Sequence, residues 1–196
     1  MSNYRPITDL WILARCKYKG GAKRWGGYLG GFPERARALL GATINDPVLH
    51  VCGGLARLYP YAGGFGPNDQ TLDLDAGCQP DFLQDARQPL PSGFAAILAD
   101  PPYSDVDADH YAPGREALPK ANALVANMLA ALQPGQRCGI IHYIVPSPPK
   151  GTRFVACVGV VSGFNNRIRS YSVFERGAEV GQPVASPVAD LLAEVA

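Results

Sequence analysis

Short apolar runs closed by turn residues set the pattern of this chain. Residues 48–51 run into Cys52-Gly53-Gly54, residues 70–74 contain the acid Asp73 near their end, and residues 93–100 are closed by Pro101 and Pro102. Runs of that length bounded by glycine and proline predict buried parallel strands. Residues 137–145 form a fourth such run. Residues 153–162 and 168–176 are two β-rich runs around Gly163-Phe-Asn-Asn-Arg167, which predicts a hairpin.

Helical spacing is rarer. Leu118, Ala121, Leu124, Val125, Met128, Leu129 and Leu132 recur three and four apart, predicting a helix over 115–132 that stops at Pro134-Gly135. A shorter helix over 33–40 has proline near its start and Gly41 beyond its end, and the tail is expected to close in a helix over 188–195. Between Gly54 and Gln70 the chain is too rich in glycine and proline for a long helix. Only a few residues separate the runs ending near 145 and starting near 153, where a parallel crossover needs about a dozen. The sheet is therefore expected to be irregular there. Strands alternating with connections and ending in a hairpin indicate an α/β fold with a mostly parallel sheet.

Composition fits one domain of 196 residues, 47% of them hydrophobic. We expect a basic N-terminal cap at 1–45, a core at 46–176 and a tail at 177–196. No apolar run approaches the roughly 18 residues of a membrane span, and the N-terminus lacks a secretory signal, so a cytoplasmic protein is expected. The five cysteines are not spaced as a metal knuckle or disulfide framework, so they read as buried thiols, and no metal site is expected.

Net charge is only +1, but its distribution is uneven. Residues 15–37 hold seven bases and one acid, 69–109 nine acids and one base, and 137–176 six bases and one acid. An acidic centre between basic flanks suits a pocket for a cationic cofactor bordered by surface that meets phosphate.

Parallel sheets gather ligands at the carboxyl ends of their strands. One predicted end carries His50, Cys52, Gly53 and Gly54, the next Asp73, and a third Asp100-Pro101-Pro102-Tyr103. Glycines admit close approach of a ligand to the backbone, and a carboxylate on the adjacent strand end can accept both hydroxyl protons of a ribose. At the third end, Asp100 and the Pro101 carbonyl are two acceptors for the two protons of an exocyclic amine, and Tyr103 offers a face for a planar base.

Asp100-Pro101-Pro102-Tyr103 resembles the DPPY motif of S-adenosylmethionine-dependent amino-methyltransferases, and VLHVCGG at 48–54 resembles their cofactor-binding first motif. Residues 14–176 are similar to small phage and bacterial DNA adenine N6-methyltransferases. That resemblance implies a Rossmann-like class I methyltransferase sheet and S-adenosylmethionine as cofactor, with adenine N6 in DNA as the leading target. RNA amino-methylation and a non-catalytic methyltransferase-like subunit are the alternatives. It also implies that His50, Cys52, Gly53, Gly54 and Asp73 hold the methionine and ribose of the cofactor, Asp85 and Ala86 meet its adenine, and Lys17 and Tyr18 cover its methionine end. The family usually has an acid in place of His50 and an aromatic in place of Cys52. No stretch is long enough for a separate target-recognition domain, so specificity is expected to be low or supplied by a partner subunit or second copy. Nucleic-acid contacts are expected from Lys23 and Arg24 in the N-terminal loop and from Asn165, Asn166, Arg167 and Arg169 in the hairpin.

Overall fold

The structure is a computed structural model that describes residues 5–14, 27–59, 64–104, 107–108, 119–163 and 167–178. Its centre is one eight-stranded sheet. The strands are β1 (Ile7–Ile12), β2 (Val48–Val51), β3 (Gln70–Asp73), β4 (Phe82–Leu83), β5 (Ala96–Ala99), β6 (Arg137–His142), β7 (Thr152–Val161) and β8 (Arg169–Arg176). In space they run β1-β7-β8-β6-β5-β2-β3-β4. Every pairing is parallel except those of β8, which lies antiparallel between β6 and β7. The mostly parallel sheet with antiparallel pairing at its C-terminal end is the expected architecture.

Strands β2 and β5 are buried throughout, as their unbroken apolar sequences require. Helix α1 (Phe32–Leu40) covers one face of the sheet, where Phe32 meets Trp11 and Tyr171 with ring centroids 6.3 and 5.1 Å apart. It ends at Gly41, whose φ of 73° is the left-handed turn that lets its N–H return to the Ala38 carbonyl. Helix α2 (Ala121–Ala131) covers the other face, burying Leu124, Val125, Met128 and Leu129 in one cluster with Cys138, Ile140 and Phe174. Its last carbonyls are capped from the sheet, since Arg176 Nη1 donates to the carbonyls of Ala130 and Leu132.

Two expectations change. Helix α2 begins at Ala121 rather than 115, because Pro119 and the extended Lys120 precede it; residues 115–118 lie outside the described residues. Strand β1 was hidden within the supposed cap. All its residues but Trp11 are exposed, so its sequence lacks a strand's clean alternation, yet it pairs in register with β7 from Ile7↔Ala156 to Ile12↔Val161. The sheet and its core thus begin well before residue 46. The connection from β6 to β7, residues 143–151, contains no helix, and β8 fills the gap between the two parallel strands. It is tied to the start of α2 where Ser147 N–H meets Asn122 Oδ1 at 3.1 Å, and the expected irregularity appears as a register shift between Phe154 and Ala156. As expected, only a short 3₁₀ turn, Ala56–Leu58, follows β2 among the described residues. The tail helix over 188–195 lies outside them.

A buried polar network ties α1 to β2 and β3. Asp69, 5% exposed, accepts from the N–H groups of Val48 and Gly66 at 3.1 and 2.7 Å, from His50 Nε2 at 3.0 Å and from Arg37. Arg37 spends its other donors on the carbonyls of Gly64 and Thr43, at 3.0 and 2.7 Å. Burial pushes the Asp69 carboxyl up, but hydrogen bonds from His50 and Arg37 hold it below the usual carboxylate range. Replacing Arg37 by Met should leave that charge buried without its counter-ion and cost about 3–5 kcal/mol. Urea unfolding of the variant measures this, and a loss below about 1 kcal/mol would mean that the pair contributes little.

Candidate active site

Strand order reverses at the β2/β5 pair: the chain runs outward through β3 and β4 on one side and through β5 and β6 on the other. Such a reversal sends the two crossovers to opposite sides and places a ligand crevice at the carboxyl ends between them. The pair runs in register from Val48↔Ala96 to Val51↔Ala99, and Asp100 N–H donates to the Val51 carbonyl at 3.2 Å. Cys52-Gly53-Gly54 and Asp100-Pro101-Pro102-Tyr103 therefore emerge side by side.

The β2 turn is backbone-driven. Cys52 and Gly54 both adopt positive φ, 53° and 50°, which is uncommon for cysteine. A Cβ on Gly53 would lie 2.9 Å from the His50 carbonyl and 3.2 Å from Thr71, so this glycine is required by the protein's own packing. Gly54 N–H donates to Asp73 Oδ2 at 2.8 Å and Asp75 N–H to Asp73 Oδ1 at 3.0 Å. Each Asp73 oxygen holds one backbone donor and keeps a further acceptor position. Burial raises the Asp73 pKa, against the pull of these two hydrogen bonds.

Cys52 shows the polarity of the crevice. Its thiol is pushed well up by burial and then by the negative charges of Asp73, Asp100 and Asp85, so it stays protonated at neutral pH. Three carboxylates from three strand ends thus share one field, which favours a cation. Asp85 also accepts from its neighbour Arg87, at 2.8 Å from the backbone N–H and 2.9 and 2.6 Å from Nε and Nη2. Ala86 is buried, and its carbonyl takes a 2.8 Å hydrogen bond from Asn127 of α2.

His50 departs from its expected place. Side chains alternate along a strand, and the ring of His50 turns to the α1 side with Val48 while Leu49 and Val51 face α2. Its Nδ1 accepts from the Tyr28 hydroxyl at 3.0 Å, its Nε2 donates to Asp69 at 3.0 Å, and Phe65 stacks on it at 4.8 Å. Burial holds it below the usual histidine range, hence neutral. Both ring nitrogens are committed to the protein, leaving none for a cofactor.

At the β5 end, the Tyr103 hydroxyl donates to Asp100 Oδ1. The Tyr103 ring touches the His142 ring edge-on at 5.6 Å and the Tyr143 ring at 4.7 Å, and the Arg169 guanidinium lies 5.2 Å from its centroid. Arg167 lies 5.7 Å from the Tyr143 centroid. Two of the basic hairpin residues thus reach the carboxyl edge beside Asp100. The apolar run continues in sequence through residue 145 and so conceals His142 and Tyr143, whereas β6 ends at His142 and exposes Tyr143 as a strand-end residue. Lys17, Tyr18, Lys23, Arg24, Asn165 and Asn166 lie outside the described residues.

Burial pushes the Asp100 carboxyl up to about 6, against the Tyr103 hydroxyl and the Arg169 charge, which both pull it down. In carbon-13 NMR of aspartate-labelled protein, Asp100 should titrate near pH 6 and shift upward in both Tyr103→Phe and Arg169→Gln. An unshifted titration in both variants would show that neither group acts on it.

No protein-family model matches the chain, and no curated protein matches it. Among solved structures, TrmN from Thermus thermophilus is similar with a TM-score of 0.54 at 20% identity, over 76% of this chain and 49% of that one. An rRNA methylase from Streptococcus thermophilus gives a TM-score of 0.46 at 10% identity, over 73% of this chain and 95% of that one. The chain spans about half the length of the Thermus structure. Taken with the strand order and the antiparallel β8, the chain has the Rossmann-like fold of the class I S-adenosylmethionine-dependent methyltransferases.

Proposed function

We propose that this chain is a methyltransferase that uses S-adenosylmethionine to methylate an exocyclic amino group of a nucleobase, with adenine N6 in DNA as the leading target. The observation that carries this reading is the meeting of Cys52–Gly54 and Asp73 with Asp100–Tyr103 across the β2/β5 crevice. The crevice fits the cofactor in two respects. Asp73 keeps an acceptor position on each oxygen for the two ribose hydroxyls, and the carboxylates around Cys52 favour a cationic ligand. Asp85 and the backbone of Ala86, one strand further on, would face its adenine.

When bound, the cofactor supplies an electrophilic methyl group. Asp100 would accept one proton of the target amine in a hydrogen bond and the Pro101 carbonyl the other, which turns the nitrogen lone pair towards the methyl carbon. The Asp100 carboxylate would stabilise the positive charge that develops on this nitrogen as it takes up the methyl group. The nitrogen then releases one proton to solvent. In the free protein the Tyr103 hydroxyl donates to Asp100 Oδ1, and the carboxylate keeps acceptor positions for the amine beside it. Arg167 and Arg169 would contact phosphates, and duplex DNA would present its base flipped out.

Single-turnover transfer from labelled cofactor to DNA and RNA, read by nucleoside mass spectrometry, tests the reaction and names the base. Asp100→Ala should slow it about a hundredfold or more, a far larger loss than any in calorimetric affinity for the cofactor. Full transfer by this variant would remove the assignment. Asp73→Ala should weaken cofactor binding by roughly 1–3 kcal/mol, and unchanged affinity would show that another group holds the ribose.

Acidity supplies a separate check. Asp100 stabilises the positive charge growing on the amine only when ionised, so the rate should rise with pH through about 6 and level off above it. A rate that is flat from pH 5 to 8 would contradict this role.

A further inference from the structure

Two tyrosines and two arginines meet at the carboxyl edge as two cation–ring pairs, Arg169 with Tyr103 at 5.2 Å and Arg167 with Tyr143 at 5.7 Å. The rings are 4.7 Å apart and tilted by 48°. Tyr143 is 36% exposed, yet its turn is firmly held. Ile144 N–H donates to His142 Nδ1 at 3.1 Å, and Ser170 Oγ of β8 reaches the carbonyls of His142 and Ile144 at 3.0 and 2.8 Å. An aromatic side chain on so rigid a support is pre-organised for stacking. Arg169 Nε is buried without a hydrogen-bond partner, leaving a donor unspent next to the Asp100–Tyr103 pair.

We propose, resting on the amino-methyltransferase reading, that Tyr143 is a second stacking residue beside Tyr103 and that the substrate is a single-stranded or unstacked polynucleotide. Tyr103 takes the reacting base and Tyr143 a neighbouring base. Arg169 and Arg167, which stand over the two rings in the free protein, pass to the phosphates as the bases arrive. The exchange is favoured because an arginine–phosphate contact is charge-assisted and gives the unspent Arg169 Nε donor a partner. The two arginines are two residues apart in the chain, roughly 7 Å when extended, so they can serve successive phosphates. A fully stacked duplex offers neither ring a base.

Fluorescence anisotropy with a labelled 12-nucleotide strand of mixed sequence, as DNA and as RNA, and with the matching perfect duplex tests this. The wild-type protein should bind the better of the two single strands at least tenfold more tightly than the duplex. Tyr143→Ala should lose roughly tenfold or more of that affinity, while Tyr143→Phe, which keeps the ring, retains it. Arg169→Gln should weaken binding and reduce the dependence of log affinity on log salt by roughly one phosphate contact, a slope change of about 0.7 on a single strand. Wild-type affinity in Tyr143→Ala, or a duplex bound as tightly as the single strand, overturns the proposal. If Asp100→Ala abolishes transfer while Tyr143→Ala binds as wild type, this inference alone falls; if Asp100→Ala transfers fully, the functional reading falls and this inference with it.

Discussion

The site depends on the parallel register of β2 against β5. Both strands are buried along their length, and the pairing is closed at each end by a backbone hydrogen bond, Ala95 N–H to Pro47 O at 2.9 Å and Asp100 N–H to Val51 O at 3.2 Å. A slip of one residue would break both bonds and move Asp100 along the edge away from Cys52. Because strand order reverses at this pair, the ends of these two buried strands lie at the switch point where parallel sheets bind ligands. Hydrophobic burial in the centre of the sheet thereby positions polar chemistry at its rim. The Asp69 network holds β2 in turn, joining Val48 and His50 to Arg37 of α1.

Electrostatics divides the carboxyl edge into two zones. Asp73, Asp85 and Asp100 act together on the Cys52 thiol, while Arg169 and Arg167 sit over the tyrosines on the β6/β8 side. A net charge of +1 conceals this arrangement, which is built from oppositely charged segments of the chain. Asp100 belongs to both zones. Burial raises its pKa, and the Tyr103 hydroxyl and the Arg169 charge restrain that rise to about 6. The carboxylate is therefore mostly ionised at neutral pH and remains an acceptor.

Much of this was legible in the chain because buried parallel strands are short apolar runs with abrupt ends. The runs at β2, β3 and β5 and the β7–β8 hairpin reveal themselves in that way, and Pro101-Pro102 marks the end of β5. Other features needed three dimensions. Strand β1 pairs at a sheet edge with five exposed residues, Ile7, Leu10 and Ile12 among them, and its apolar and polar positions do not alternate as a half-buried strand's would. His50 stands near a strand end, where a ligand is expected, but strand alternation turns its ring towards a buried carboxylate nineteen residues away. Tyr143 looked like one more strand residue until the end of β6 at His142 was known. The packing of Arg167 and Arg169 on the rings of Tyr103 and Tyr143 arises from β8 inserting antiparallel beside β6, a pairing that local pattern does not encode.

The most direct test of the central claim is a crystal structure of the protein with S-adenosylhomocysteine, the demethylated product of the cofactor. The account predicts the ribose hydroxyls on the Asp73 carboxylate, the chain beside Cys52–Gly54 and the sulfur facing Asp100. A ligand bound away from the β2/β5 crevice, or none at saturating concentration, would contradict it.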